Sequence, residues 1–288
     1  MPIAAVNGIH ISYDVFANAG ADEAITDDQP VLVMISGLGA QSWVYDDDLC
    51  MAFADRGLTV VRFDNRDIGL STFFDDRPDG DYLLRDMGAD TLALMDHLGV
   101  DRAHVWGASM GGMIAQTIAI SHPERVLSLI SVMSNTGEVG IGFPDPEIIP
   151  ELLELMGPAA TLEEAIDSAV RTSLLVGSPE YATEEWLVPR HTMLLTRSCH
   201  PTGTTRQFAA VMAAGSRAEG LAELAVPTLV LHGNRDRLID ISGGRRTAEL
   251  VAGSSFIEID GMGHDLHPNF WAGFVDEVTR HVSSVEMA

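Results

Sequence analysis

The sequence contains no lysine: all 17 of its basic residues are arginine, set against 42 acidic residues in a chain of 288. Without lysine, a P-loop cannot reach the β/γ-phosphates, a side-chain Schiff base cannot form, and a Ser-Lys dyad or a β3-lysine kinase site cannot be built. Cations of any kind are scarce, and the formal net charge is −25. A protein that neutralises phosphates needs a basic face, so the expectation is no nucleic-acid partner, and anionic membranes are disfavoured for the same reason. The acidic excess has two readings: solubility through self-repulsion, or adaptation to high salt, where screening removes that repulsion.

Cysteine is nearly absent as well. Cys50 and Cys199 make no disulfide framework and are expected to be reduced thiols of a cytoplasmic protein, with no metal site. Nothing approaches the roughly 18 to 20 apolar residues of a membrane helix, so no integral membrane segment is expected. Residues 1–10 lack the basic and apolar regions of a secretory signal. The composition, 46% hydrophobic and 20% charged, is that of a globular protein. The length permits one large α/β domain.

Apolar, β-branched runs alternate with helical periodicity along the chain. Runs at 3–6 and 9–15 flank Asn7-Gly8, a hairpin signal. Residues 17–30 read as a surface loop. Strands are expected at 31–35, 58–63, 103–106 and 126–133, and helices at 43–56, 83–98 and 113–121. From 134 the alternation stops, and helices are expected around 147–156, 161–175, 183–197 and 203–214. It resumes with strands at 228–231 and 255–259 and helices at 243–251 and 267–282. The pattern predicts a doubly wound, mostly parallel sheet opened by an antiparallel hairpin. Residues 1–134 and 222–288 form its core, and 135–221 form a helical cap over the carboxyl ends of the strands, where α/β ligands bind.

The chemistry gathers at three points. Gly107-Ala108-Ser109-Met110-Gly111 is a Gly-x-Ser-x-Gly between an expected strand and an expected helix, a turn that lifts a serine hydroxyl clear of a sheet. A serine nucleophile needs a base, and the base an orienting carboxylate. Asp236 follows the strand at 228–231, and His264 lies in a glycine-rich loop after the last strand, in the order Ser, acid, His. Asp240 is a weaker candidate for the acid. Asp64, Asn65, Arg66 and Asp67 are expected to fix a loop by charge-assisted hydrogen bonds. His104, His122 and His232 read as strand-end or surface histidines, His267 as the opening of the last helix, and Asp265 as a loop or N-cap carboxylate. Asp46-Asp47-Asp48 reads as a solvated helix start. Met133, Met156, Met193, Met212, Trp186, Leu194, Leu195 and Phe208 either pack the cap or line an acyl pocket.

Four stretches carry a family likeness: 35–41 (Ile-Ser-Gly-Leu-Gly-Ala-Gln), 63–72 (Phe-Asp-Asn-Arg-Asp-Ile-Gly-Leu-Ser-Thr), the elbow at 107–116, and 260–266 (Asp-Gly-Met-Gly-His-Asp-Leu). Through them the sequence resembles the serine hydrolases of the α/β-hydrolase superfamily, and within it the actinobacterial lipase/esterase branch that includes aclacinomycin methylesterase. The resemblance implies an α/β-hydrolase fold with Ser109 as nucleophile, Asp236 as acid and His264 as base. It also implies the amides of Leu38 and Met110 as the oxyanion hole. The family's usual His-Gly is Ser36-Gly37 here, which leaves a backbone donor intact. The implied activity is hydrolysis of carboxylic esters of small to medium uncharged substrates through an acyl-enzyme, with no cofactor. Perhydrolase or cofactor-free haloperoxidase, lactonase and C–C hydrolase activities use the same triad, and a ligand-binding receptor uses the same fold. Dehalogenases and epoxide hydrolases are disfavoured, since an aspartate stands there in place of Ser109. The sequence assigns no oligomeric state.

Overall fold

In a computed structural model all residues are described except 19–24, 26–28, 77–81, 156, 158 and 288. Met156 and most of the loop expected over 17–30 thus lie outside the described residues. The chain opens with β1 (Ile3–Val6) and β2 (Ile9–Phe16), paired antiparallel. Asn7 and Gly8 between them take φ of 49° and 77°, the two positive values a type I′ turn demands. β3 (Val31–Ile35), α1 (Asp47–Ala54), β4 (Thr59–Phe63), α2 (Leu84–His97), β5 (Ala103–Ala108), α3 (Met110–Ser121) and β6 (Val126–Val132) follow. Among the described residues five helices come next, α4 (Ile149–Leu155), α5 (Leu162–Val176), α6 (Glu184–Arg197), α7 (Pro201–Ala213) and α8 (Ala218–Ala222). The sheet resumes with β7 (Thr228–Gly233), α9 (Ser242–Leu250) and β8 (Ser255–Ile259), and α10 (Trp271–Glu286) closes the chain.

The eight strands among the described residues lie in the order β1-β2-β4-β3-β5-β6-β7-β8. β2 runs antiparallel to both its neighbours, and the remaining pairs are parallel. Chain order reverses at β3, with β4 on one side and β5 on the other. In α/β proteins, ligands bind beside such a switch, at the carboxyl edge of the sheet. All five residues of β3 are buried because helices cover both faces. Val33 and Ile35 pack with α2 and α3, while Leu32 and Met34 pack with α1 and α10 around Trp106. Tyr45, Phe53 and Phe274 meet the Trp106 ring edge-on.

Several boundaries differ from expectation, for local reasons. The helices expected from 43 and from 267 each begin with a short 3₁₀ turn, Ser42–Val44 and Pro268–Phe270. The ring of Pro268 leaves no N–H to donate, which suits a helix start and nothing further in. The helix after the elbow starts at Met110 rather than 113, directly behind the serine. α8 has no counterpart among the expected helices, since five residues are too few to show a period. Cys50 and Cys199 are free. No helix among the described residues is long and apolar enough to cross a membrane.

Two histidines withdrawn from water make stability depend on pH. His104, wholly buried on β5, shares a 2.8 Å hydrogen bond with Ser128 Oγ, and burial holds its pKa down to about 4 against the opposing pull of Glu286. His191 on α6 bonds Ser173 Oγ at 2.8 Å and is lowered to about 4, again by burial. An unfolded chain takes up these protons near pH 6.5. With folded pKa values depressed, the stability they confer is complete above about pH 6.5 and is lost as pH falls towards 4. Each tenfold difference in proton affinity between the folded and unfolded chain is worth about 1.4 kcal/mol per group. The urea midpoint is therefore expected to fall between about pH 7 and pH 4.5, and His104→Gln to flatten that fall. A flat wild-type profile contradicts this.

Candidate active site

Ser109, Asp236, His264 and Leu38 follow β5, β7, β8 and β3, all at the carboxyl edge of the sheet. Ser109 occupies a sharp turn at φ 57° and ψ −122°, a conformation that costs a non-glycine residue about 1 to 3 kcal/mol. Its surroundings over-determine that conformation. The Ser109 amide donates to Val132 O at 2.9 Å, and its carbonyl accepts from Gly112 N and Ser134 Oγ at 2.9 and 2.8 Å. The motif glycines are set by close approach. A Cβ at Gly107 would collide with the Gly111 carbonyl, and one at Gly111 with the Ile35 carbonyl.

The three sequence-predicted side chains meet. His264 Nδ1 lies 2.7 Å from Asp236 Oδ2, and His264 Nε2 lies 3.0 Å from Ser109 Oγ. An ionised carboxylate only accepts, so the Nδ1 proton belongs to the bond with Asp236 and Nε2 is left to accept from the serine hydroxyl. The other carboxylate oxygen, Oδ1, accepts from the amides of Leu238 and Ile239, each at 2.9 Å. Burial raises the pKa of Asp236, but the imidazoles of His264 and His232 outweigh it and hold the carboxyl at about 2. Asp236 is therefore ionised at every pH near neutrality.

His232, expected at a strand end or on the surface, stands near the end of β7 with no exposure at all. Its Nε2 donates to Ile239 O at 2.8 Å and lies 3.4 Å from Asp236 Oδ2, so it braces the turn that carries Asp236. The sequence signal for that role is the placement of His232-Gly233 just ahead of Asp236. Asp240 is exposed and accepts from Ser242 N at 3.0 Å, away from the imidazole chain. His122 is exposed. His267 accepts from Asn269 N at 3.2 Å and opens the last helix as expected.

The loop that carries His264 is tied to α5. His264 N donates to Val176 O at 2.7 Å, and Gly263 N donates to Ser178 Oγ at 2.9 Å. Asp265 accepts from Ser178 N and Oγ at 2.6 and 2.7 Å. Its carboxylate thus staples the segment after α5 to the histidine loop.

The loop after β4 is fixed by charge, as its sequence suggested. Asp64 accepts from Ser42 N, Ser42 Oγ and Leu70 N, and Arg66 grips Asp90 through two bonds of 2.6 and 2.8 Å. The sequence did not reveal where the other partners come from. Arg197 of α6 reaches Asp64 at 2.7 Å, and Arg206 of α7 makes a bidentate pair with Asp67 at 2.9 and 2.6 Å. Both arginines and both aspartates are buried. Arg206→Met would leave the Asp67 charge buried without its cation, at a cost of about 3 to 5 kcal/mol. Urea unfolding is expected to register that loss, and an unchanged midpoint contradicts it. Asp46, at the solvated start of α1, is likewise gripped by Arg190 of α6 at 2.7 Å.

The two amides expected to form an anion site stand at Leu38, after β3, and at Met110, the first residue of α3. Gly37 packs so near Ser109 that a Cβ there would lie 3.1 Å from the serine Cβ. Among the described residues, neither the Leu38 nor the Met110 amide has a protein acceptor. Two unpaired N–H groups flanking a serine hydroxyl suit a developing negative charge. Of the apolar residues expected in or near the helical segment, Met133 and Leu194 are buried, Trp186 and Leu195 are partly buried, and Met193, Phe208 and Met212 are exposed.

Comparison with known proteins identifies the family and the fold. Residues 30–269 match the family described as alpha/beta hydrolase fold. The chain is 28% identical over 268 residues to rhodomycin D methylesterase DauP of Streptomyces sp. (strain C5), covering 83% of this chain and 86% of that one. It is 30% identical over 224 residues, 75% of each chain, to a 2-hydroxy-6-oxononadienedioate/2-hydroxy-6-oxononatrienedioate hydrolase of Pseudomonas sp. The enol-lactonase of Burkholderia xenovorans LB400 superposes with a TM-score of 0.78 over 98% of this chain and 100% of its own at 22% identity, a likeness of fold. With its sheet order, its serine elbow and these relatives, the chain belongs to the alpha/beta hydrolase family.

Proposed function

We propose that the chain is a serine hydrolase that cleaves carboxylic esters of small to medium uncharged substrates through an acyl-enzyme. The observation that carries this reading is the unbroken chain of bonds from Asp236 through His264 to Ser109 Oγ, 2.7 and 3.0 Å long. His264 takes the hydroxyl proton as Oγ attacks the acyl carbonyl, and the amides of Leu38 and Met110 receive the oxyanion. Each such donor is worth about 10² to 10³ in turnover. The alcohol leaves with the proton from His264. A water, deprotonated by the same nitrogen, then releases the acid. Residues 135–221 act as the cap over a core made of 1–134 and 222–288.

Two observations favour an uncharged ester. The arginines of α6 and α7, Arg190, Arg197 and Arg206, are each taken by an aspartate. The overall charge of −25 repels dianions. The similarity to an oxononadienedioate hydrolase keeps C–C cleavage as a second reading. A panel of p-nitrophenyl esters from acetate to decanoate, run beside a vinylogous 1,5-diketone acid, separates the two. Ester turnover with a defined length optimum and little diketone cleavage is expected. The reverse preference overturns the ester reading.

A further inference from the structure

The helices over the sheet do more than cover the site: they hold the oxyanion loop. Gly37 rests against Ser109, and the amide after it, that of Leu38, is one of the two proposed donors. The next amide along, Gly39 N, donates at 2.9 Å to Oε1 of Gln207 on α7. Gln207 is wholly buried, and its Nε2 donates to Arg66 O at 2.8 Å, so both ends of its amide are used. Gly39 takes φ 67°, and a Cβ there would touch Thr204, one turn earlier on α7. The far end of the loop is held as well. Gln41 Nε2 donates to Leu194 O and Ser198 O at 2.6 and 2.9 Å, and Gln41 Oε1 accepts from Arg197 at 2.6 Å.

The Gly-Leu-Gly stretch at 37–39 has wide conformational freedom of its own, yet an oxyanion donor works only when it is already aimed at the site of developing charge. Contact with Ser109 constrains Leu38 from its amino side, and the bond to Gln207 fixes the 38–39 peptide from its carboxyl side. We infer that Gln207 is a positioning residue that aims the Leu38 amide, so that α7 sets the rate of the hydrolytic step as well as enclosing the substrate. This rests on the serine-hydrolase reading above. Gln207 touches no reacting atom, and its effect passes through the backbone of residues 38 and 39.

The test compares Gln207→Met, close in length but without an acceptor, with Gln207→Glu, which in either protonation state keeps an oxygen for Gly39 N. For a p-nitrophenyl ester, Gln207→Met is expected to lower kcat by about 10-fold to 100-fold with KM within about 3-fold, approaching the loss of one oxyanion donor. Affinity for an alkylboronic acid, which forms a tetrahedral adduct on the serine, falls in step. Gln207→Glu regains at least about 5-fold of the lost turnover. A kcat loss below about 10-fold in the Met variant, or equal losses in both, overturns the inference. If Gln207→Met does not fold, Gln207→Asn, whose shorter amide falls short of Gly39, replaces it under the same thresholds. Failure of the hydrolase reading shows itself separately, as turnover retained by Ser109→Ala.

Discussion

Ser109→Ala is expected to lower kcat/KM for p-nitrophenyl esters by about 10⁴ to 10⁶, leaving only what the amide donors and substrate binding supply. The loss is large because no other hydroxyl among the described residues is hydrogen-bonded to His264, whose Nε2 has Ser109 Oγ at 3.0 Å. Stability should hardly change. The strained φ of 57° is fixed through backbone bonds that alanine retains, and Oγ contributes only its bond to the imidazole. Initial rates together with the thermal midpoint check both halves. An inactive variant that is also unfolded does not meet the prediction.

Asp236→Asn is expected to cost about 10⁴ in turnover, and the geometry gives the reason. Oδ1 accepts from two backbone amides, Leu238 and Ile239, at 2.9 Å each. An asparagine must keep its carbonyl oxygen there, because an NH₂ group would face two donors. Its NH₂ is therefore forced towards His264 Nδ1, which must then accept, and the proton moves to Nε2. An Nε2–H cannot take the proton of Ser109. Because Asp236 in the wild type is held at about 2, its protonation does not shape the activity profile near neutral pH. For the same reason the stability it confers is present above about pH 4 and is lost only as pH falls towards 2. Pre-steady-state rates of the Asn variant check the claim, and a loss below about 10² contradicts it.

Much of this was legible in the sequence because it is encoded locally. Asn7-Gly8 announces a hairpin through the backbone signs it permits. Gly107 and Gly111 mark places where backbone approaches backbone too closely for a Cβ. Ser109, Asp236 and His264 are recognisable because each stands just past a strand at the same edge of one sheet. What stayed hidden is long-range. Gln207 meets Gly39 across 168 positions, and Arg206 meets Asp67 across 139, with no local pattern to link either pair. The place of His232 just ahead of Asp236 is visible in the sequence, but its bracing role shows only once the turn at Ile239 folds back over it. The aspartates at 64 and 67 are legible as loop anchors, but two of the partners they hold, Arg197 and Arg206, arrive from α6 and α7.

The absence of lysine takes on a positive meaning beside this site. The proposed machinery, a serine, a histidine, an aspartate and two backbone amides, asks for no lysine in any role. Arginine suits the buried ties between α6, α7 and the core better, since its planar fork meets a carboxylate through two bonds at once, as Arg206 does with Asp67.

Whether an acyl group forms on Ser109 is read from the mass of the protein quenched in acid during turnover of a slowly deacylating p-nitrophenyl ester, followed by peptide mapping. A gain of one acyl group is expected on the peptide containing Ser109, in step with a burst of p-nitrophenol, and no gain in Ser109→Ala. Hydrolysis at full rate with no adduct on that peptide, or an adduct on another residue, contradicts it.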